Sequence, residues 1–349
     1  MSRFLANRFV SFDAYVPGEQ PSGTDYIKLN TNESPYPPPS VMADIVSREV
    51  DKLKLYPSTD GTDLINRLAE FYDVNAENVI IGNGSDELLA FAFLAFFENG
   101  IIFPDITYGF YPVYAKLYDI NYREIPLNED FTVNINDYVN VGTNVILANP
   151  NAPTGISLGL DDVEKIVKSN PDHLVVIDEA YVDFGGVSAI PLTMHYDNLL
   201  IIHTYSKSRS LAGARLGFAV GSAGIIEDMN KMKYSFNPYN VNRLTQIMGV
   251  TALNEEAYYD EKRKEIIKTR EYTKERLTGM GFIMTDSCAN FLFGKNPKIS
   301  GHELYSKLKD KGILVRQWNK PRISDHIRIT TGTPEQTEAL IKAIEEILS

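Results

Sequence analysis

The run HTYSKSRSLAGARLGF, residues 203–218, carries a single lysine, Lys207, directly after Ser206 and eight residues before Arg215. A primary amine acts as a nucleophile once it is held unprotonated, and a cavity with hydroxyls alongside and a second cation across favours that state. An ordinary solvated loop lysine is the competing reading of the same residues. Arg215, spaced from Lys207 by small residues and Gly213, has the planar fork of donors that suits an anion.

Four more segments place reactive residue types just after apolar stretches. GNGSDE, residues 82–87, follows NVIIG and brings Gly84, Ser85 and Asp86 to a helix start. Free backbone N–H groups and the helix dipole favour a phosphate there, and glycine permits close approach. The segment lacks the Lys-Ser/Thr of a nucleotide P-loop and the third glycine of a dinucleotide fingerprint. A strand-to-helix turn capped by Ser or Asp would read the same way. NPNAPTG, residues 149–155, is a turn made rigid by two prolines and a glycine. VVIDEAYVDF, residues 175–184, ends an apolar run on Asp178, where a carboxylate needs a hydrogen-bonded or charged partner. A protonated heterocyclic nitrogen would serve, and so would a local cap. HIRITTG, residues 326–332, sets Arg328 in a strand, suited to bidentate binding of a carboxylate or phosphate or to a plain cross-strand ion pair. A phosphate nest, a rigid turn, a strand-end acid, a lysine among hydroxyls and a late arginine together describe a pyridoxal phosphate site.

Such residues converge only if a scaffold brings several strand ends together. From about residue 60 the pattern alternates: TDLINRLAEFY helical, NVIIG extended, SDELLAFAFLAFF helical, GIIFP extended, and so on to ARLGFAVG. HLVVID and NLLIIH are apolar throughout, as in a sheet covered on both faces. The expectation is an α/β domain with a mainly parallel sheet, its ligand at the carboxyl ends of the strands. SVMADIVSREVDKL reads as a helix opened by Ser40 as its cap. After about residue 238 come a helix pair, the strands FLFG, ILVRQW and HIRITTG, and the helices GHELYSKLKDKG and PEQTEALIKAIEEIL, a smaller α+β domain. The division expected is residues 1–40 as an arm joining the small domain, 41–240 as the large cofactor-binding domain, and 241–349 as the small domain with a linking helix at about 255–280.

The composition excludes several classes. At 349 residues the chain suits one large domain and a smaller one. A net charge of −12 with no block of Lys and Arg argues against a nucleic-acid partner. One cysteine, Cys288, leaves no internal disulfide, and five histidines at no ligand spacing argue against a metal. Charges break the apolar run of MSRFLANRFVSF, unlike a signal peptide, and LLAFAFLAFF is too short to span a bilayer. A soluble cytoplasmic protein with no membrane partner is expected.

The order NESPY, YPS, GNGSDE, TYGFY, NPNAPTG, DEAYVDF, YSKSRSLAGARLG and IRITTG resembles the fold-type I, class II aminotransferases. Over nearly the whole chain it is most similar to the histidinol-phosphate aminotransferase family. The resemblance implies a homodimer using pyridoxal 5'-phosphate to move an amino group between glutamate and a phosphorylated imidazole ketone. Lys207 resembles the Schiff-base lysine, Asp178 the partner of the pyridinium nitrogen, and Tyr181 the donor to the phenolic oxygen. Gly84, Ser85, Asp86, Ser206 and Arg215 resemble the phosphate grip, and Tyr108 the aromatic on the ring face. Tyr56 matches a tyrosine that reaches the neighbouring subunit's cofactor. Arg328 resembles the substrate-anion arginine, with Arg316, Tyr15 and Asn32 on the substrate side. The sequence departs from the family where an asparagine usually precedes PTG. Here that residue is Ala152, with Asn151 beside it as the candidate donor. Aromatic amino-acid aminotransferases and threonine-phosphate decarboxylases share this scaffold and are the alternative enzymes. A non-catalytic sensor that keeps the cofactor site is the alternative of another kind.

Overall fold

The computed structural model of the chain describes residues 2–10, 12–20 and 26–349. After β1 (Ile27–Lys28) come α1 (Val41–Glu49) and α2 (Thr62–Tyr72). The central region runs β2 (Val79–Gly82), α3 (Ser85–Phe96), β3 (Ile101–Pro104), α4 (Tyr111–Leu117), β4 (Tyr122–Ile125) and β5 (Asn144–Ala148). It continues through α5 (Leu160–Ser169), β6 (Val175–Asp178), β7 (Leu199–Thr204), β8 (Gly217–Gly221) and α6 (Ala223–Phe236). Then follow α7 (Arg243–Asn254), α8 (Glu256–Gly279), β9 (Ile283–Met284), β10 (Phe291–Lys295) and α9 (Gly301–Asp310). β11 (Ile313–Leu314), β12 (Arg316–Gln317), β13 (Ile327–Thr330) and α10 (Pro334–Leu348) complete the chain.

Successive residues of a strand point to opposite faces, and here both faces are covered. Val175 and Ile177 of β6, with Leu147 and Ile201 of its neighbours, enter one core against α2, α5 and α7. Val176, Ile146, Leu200 and Ile202 enter another against α3, α4 and α6. Two cores, one on each side, are why these strands read as apolar at every position. The seven strands lie in the order β2-β8-β7-β6-β5-β3-β4, all running one way except β8, which is antiparallel to both its neighbours. The carboxyl ends of β5, β6 and β7 therefore share one edge, and the fold is α/β with a mainly parallel sheet.

A third core lies in the antiparallel sheet β12-β13-β10-β9 and its helices, where Leu292, Leu308, Ile329, Leu340 and Ile344 meet. β1 pairs in parallel with β11, and Leu29 just after β1 enters this same core. ILVRQW, read as one strand, is two: β11 faces β1, and β12 turns away to pair with β13. Ser40 does not cap α1. It adopts helical backbone angles itself, and its side chain makes no capping bond. Helix α6 was not expected, because Ile226, Met229 and Lys233 are its only buried residues and leave a thin apolar stripe.

Helix α7 also departs from the expected division at residue 240. It packs on α1 and α2, and Ala252 and Leu253 belong to the core on that side of the large sheet. Gly249 makes the approach possible, since a Cβ there would lie 2.6 Å from Leu216 Cδ2 and 3.0 Å from both δ carbons of Leu64. α8 then passes from one body to the other, burying Tyr259 in the large core and Leu277 in the small one. Gly249→Val is expected to destabilise the protein by roughly 1–3 kcal/mol through overpacking. Gly224→Ala, where an added methyl meets nothing within 4 Å, should show no loss. Urea unfolding of the two variants checks the placement of α7, and equal stability would separate it from the large core.

Candidate active site

Asp178 ends β6 and is buried, 4% exposed. Both its oxygens are held by neutral donors: Tyr111 Oη donates to Oδ2 at 2.9 Å and the Ala180 N–H to Oδ1 at 3.2 Å. Burial pushes its pKa up to about 6, against the opposing pull of these two bonds. The residue that holds it, Tyr111, is fully buried at the start of α4 and was missed in the sequence. A buried tyrosine needs a partner for its hydroxyl, but nothing local to YGFYPVY says which.

Above Asp178 lies a cavity of about 350 Å³, lined among others by Ser85, Tyr108, Tyr181, Ser206, Lys207 and Arg215. At its floor the chain turns from β2 into α3 through Gly84, whose φ of 79° lies in the left-handed region. A Cβ on Gly84 would fall 2.6 Å from Arg215 Nη2, and one on Gly217 would fall 2.5 Å from the Ser85 nitrogen. The two bare glycines let β8, the arginine and the α3 N-terminus close on one spot. Arg215 Nη2 binds Asp86 Oδ2 at 3.0 Å, while Asp86 Oδ1 accepts from Tyr108 Oη at 2.7 Å. Asp86 therefore aims the arginine and the tyrosine, and what it can offer an anion is a backbone N–H. Ser206 Oγ accepts from Thr204 Oγ1 at 3.0 Å, which leaves the Ser206 proton for another acceptor.

Lys207 reaches into the cavity with Nζ 3.3 Å from the Thr31 carbonyl oxygen and 5.5 Å from the centre of the Tyr181 ring. Tyr181 Oη accepts from Asn32 Nδ2 at 2.9 Å. Ala152 lines the cavity and offers no donor. Asn151 does not replace it: its Oδ1 accepts from Thr107 Oγ1 at 2.8 Å, and its Nδ2 donates to the Ile106 carbonyl and to Thr154 Oγ1, each at 3.0 Å. That amide is used to hold its own turn and to tie it to the Ile106–Thr107 segment after β3, and Asn151 does not line the cavity.

A second cavity, also about 350 Å³, continues from Tyr108, Ala152, Tyr181 and Lys207 toward Arg316 and Arg328 beneath the arm. The two arginines are register partners on β12 and β13. Like charges directly opposite repel, and the bonds they make here go to carbonyls. Arg328 Nη2 donates to Asn30 O at 3.0 Å, and Arg316 donates to Val16 O and Pro17 O at 3.3 Å each. Arg328 Nε is buried without a partner among the described residues, and burial lowers the guanidinium pKa from its ordinary value. Such a pair could take an anion. Tyr15 stacks on Phe110 with ring centres 4.1 Å apart at the rim. Tyr56 is set apart from both cavities, 75% exposed and stacked on Tyr239 at 4.4 Å.

The model of the family "Aminotransferase class I and II" matches residues 24–344. The histidinol-phosphate aminotransferase of Brachyspira hyodysenteriae is 49% identical over 352 residues, covering 100% of this chain and 99% of that protein. The enzyme of the same name from Lactococcus lactis subsp. lactis is 47% identical, covering 98% of this chain and 96% of the relative. Among solved structures, histidinol-phosphate aminotransferase from Sinorhizobium meliloti in complex with pyridoxal-5'-phosphate superposes with a TM-score of 0.85 at 21% identity. That match covers 92% of this chain and 90% of the other.

A carboxyl whose folded pKa of about 6 lies above its ordinary 3.8 makes the ligand-free protein less stable as pH rises through that interval. Below it both states hold the proton and the penalty vanishes. Asp178→Asn is therefore expected to stabilise the ligand-free protein at pH 8 by roughly 2–3 kcal/mol, an upper range set by the shift. The gain should fade to nothing below about pH 4. Urea melts across pH check this, and a pH-independent difference would mean that Asp178 is ionised at no cost.

Proposed function

The chain belongs to the class I and II aminotransferase family, and from that premise we propose that it transfers an amino group between histidinol phosphate and 2-oxoglutarate, with pyridoxal 5'-phosphate held in the cavity above Asp178. The observation that carries the cofactor is Asp178 itself. A buried carboxylate met by neutral donors calls for a cationic partner, and a ring nitrogen that keeps its proton fits that demand. The rest of the cavity fits the same group. Arg215, Ser85, Ser206 and the α3 N-terminus would hold its phosphate, and Tyr108 would cover a ring face. When bound, the cofactor supplies an electron sink for the carbanion formed at the substrate.

The protein's own part is attachment, proton transfer and orientation. Lys207 would anchor the cofactor through Nζ and, once released by an incoming amine, carry the proton from the donor's Cα. Asp178 keeps the ring nitrogen charged, and Tyr181 would donate to the ring oxygen. Arg328 and Arg316 would take the substrate's anion, the α-carboxylate of glutamate in one half-reaction and the phosphate of histidinol phosphate in the other. Two arginines that repel each other when empty suit both anions. The substrate is supported by the relatives of that name at 47–49% identity. A panel of donors (histidinol phosphate, phenylalanine, tyrosine, threonine phosphate) read by the cofactor's colour change tests it. Histidinol phosphate should be the most efficient, and a preference for phenylalanine or tyrosine would move the enzyme to the aromatic class. Arg328→Gln is expected to raise KM for glutamate by a large factor, from loss of roughly 2–5 kcal/mol. Unchanged constants for every donor would assign the anion elsewhere.

The exposed Tyr56–Tyr239 stack supports a homodimer in which Tyr56 reaches the partner subunit's cofactor phosphate. No helix among the described residues is long and apolar enough to cross a membrane. In a hybrid of Lys207→Ala and Tyr56→Phe chains, one site keeps its own Lys207 and receives a native tyrosine from the other chain. Mixing the two variants should therefore restore one tightly bound, active cofactor per hybrid pair. A tyrosine acting within its own chain would leave the hybrid as impaired as its parents.

A further inference from the structure

Resting on the cofactor reading above, we propose that Asn32 is a positioning residue that turns the Tyr181 hydroxyl toward the cofactor and stands in for the donor missing at Ala152. The geometry that leads there is a short chain of hydrogen bonds crossing from the small body to the large one. Thr330, at the end of β13, accepts from the Asn32 backbone N–H at 2.9 Å and donates from Oγ1 to Asn32 Oδ1 at 3.2 Å. That donation orients the amide, so that Nδ2 faces Tyr181 and donates to its Oη at 2.9 Å. A hydroxyl that already accepts from an amide keeps its own proton for something else, and Oη lies at the wall of the cavity beside Lys207 and Ala152. Asn290 holds the Asn32 carbonyl at 3.0 Å, so the backbone is pinned as well as the side chain. Asn32 is 1% exposed and sits at φ 56°, a left-handed conformation that asparagine, aspartate and glycine tolerate best.

The arrangement ties two functions together. Thr330 is two residues from Arg328 on the same strand, so the strand that carries the anion arginine also fixes the direction of the Tyr181 proton. Asn32 thereby acts on the cofactor through Tyr181, a role beside the substrate-side one expected of it, since it also lines the cavity that holds Arg316 and Arg328.

The test uses the purified holoenzyme and reads the pH at which the bound chromophore changes colour. Asn32→Gly removes the amide without straining the left-handed backbone. It should raise that midpoint by roughly half to one pH unit, the worth of one ordinary hydrogen bond. Asn32→Asp has a carboxylate that only accepts, so it should draw the Tyr181 proton to itself and raise the midpoint further than the glycine does. Ala152→Asn in the Asn32→Gly background should recover at least half of the shift, and in a Tyr181→Phe background Asn32→Gly should add nothing. A midpoint unmoved by both Asn32 variants, or an Asn32→Gly effect that persists in Tyr181→Phe, would overturn the proposal. Should Asn32→Gly lose the cofactor, the Asn32→Asp and Tyr181→Phe pair decides it by the same criterion. A wild-type protein that binds no pyridoxal phosphate would sink the cofactor reading instead, which keeps the two failures apart.

Discussion

Asp178 holds a carboxyl at the end of a strand buried on both sides, with only a tyrosine hydroxyl and a backbone N–H against it. Burial at that position disfavours the ionised carboxylate and pushes its pKa up to about 6. A protonated heterocycle above it would convert the penalty into an ion pair of low exposure. Much of the nearby architecture serves this demand: α4 brings Tyr111 beneath the acid, and β5 and β7 close its flanks.

The end of the cavity at the α3 N-terminus is organised by absence of side chains. Gly84 and Gly217 leave room for Arg215 and the first turn of α3 to approach within contact distance, and Asp86 steers both Arg215 and Tyr108 from behind. The reversed strand β8 is what brings Gly217 beside Gly84, through its pairing with β2. An acid so close to an anion site is tolerable because its carboxylate is already engaged by a guanidinium and a phenol.

The arginine pair of the second cavity belongs to the other body. Arg316 and Arg328 oppose each other across β12 and β13, and the arm covers them through the Val16 and Pro17 carbonyls. Asn32 connects this end to Tyr181, so the two cavities are joined by hydrogen bonds as well as by a shared wall.

The sequence by itself determined the large sheet and the order of its motifs. Strands buried on both faces must be apolar at every position, and turns that present N–H groups or cations announce themselves through glycine, proline and isolated charges. Lys207, Asp178, Arg215 and Arg328 were legible because each is a polar residue in surroundings that do not otherwise explain it. Helix α6 escaped because its apolar stripe is thin, and α7 was placed in the wrong body because an apolar face says that it packs but not on what. Only the tertiary structure decided that Asn151 spends its amide on Thr107, Ile106 and Thr154 while Ala152 faces the cavity. It alone paired Asn32 with Tyr181 and with Thr330, contacts that span 149 and 298 residues of chain. The physical reason is that a hydrogen bond is set by position and direction in space. Local periodicity constrains which way a side chain faces, whereas the identity of its partner depends on how separate elements fold together.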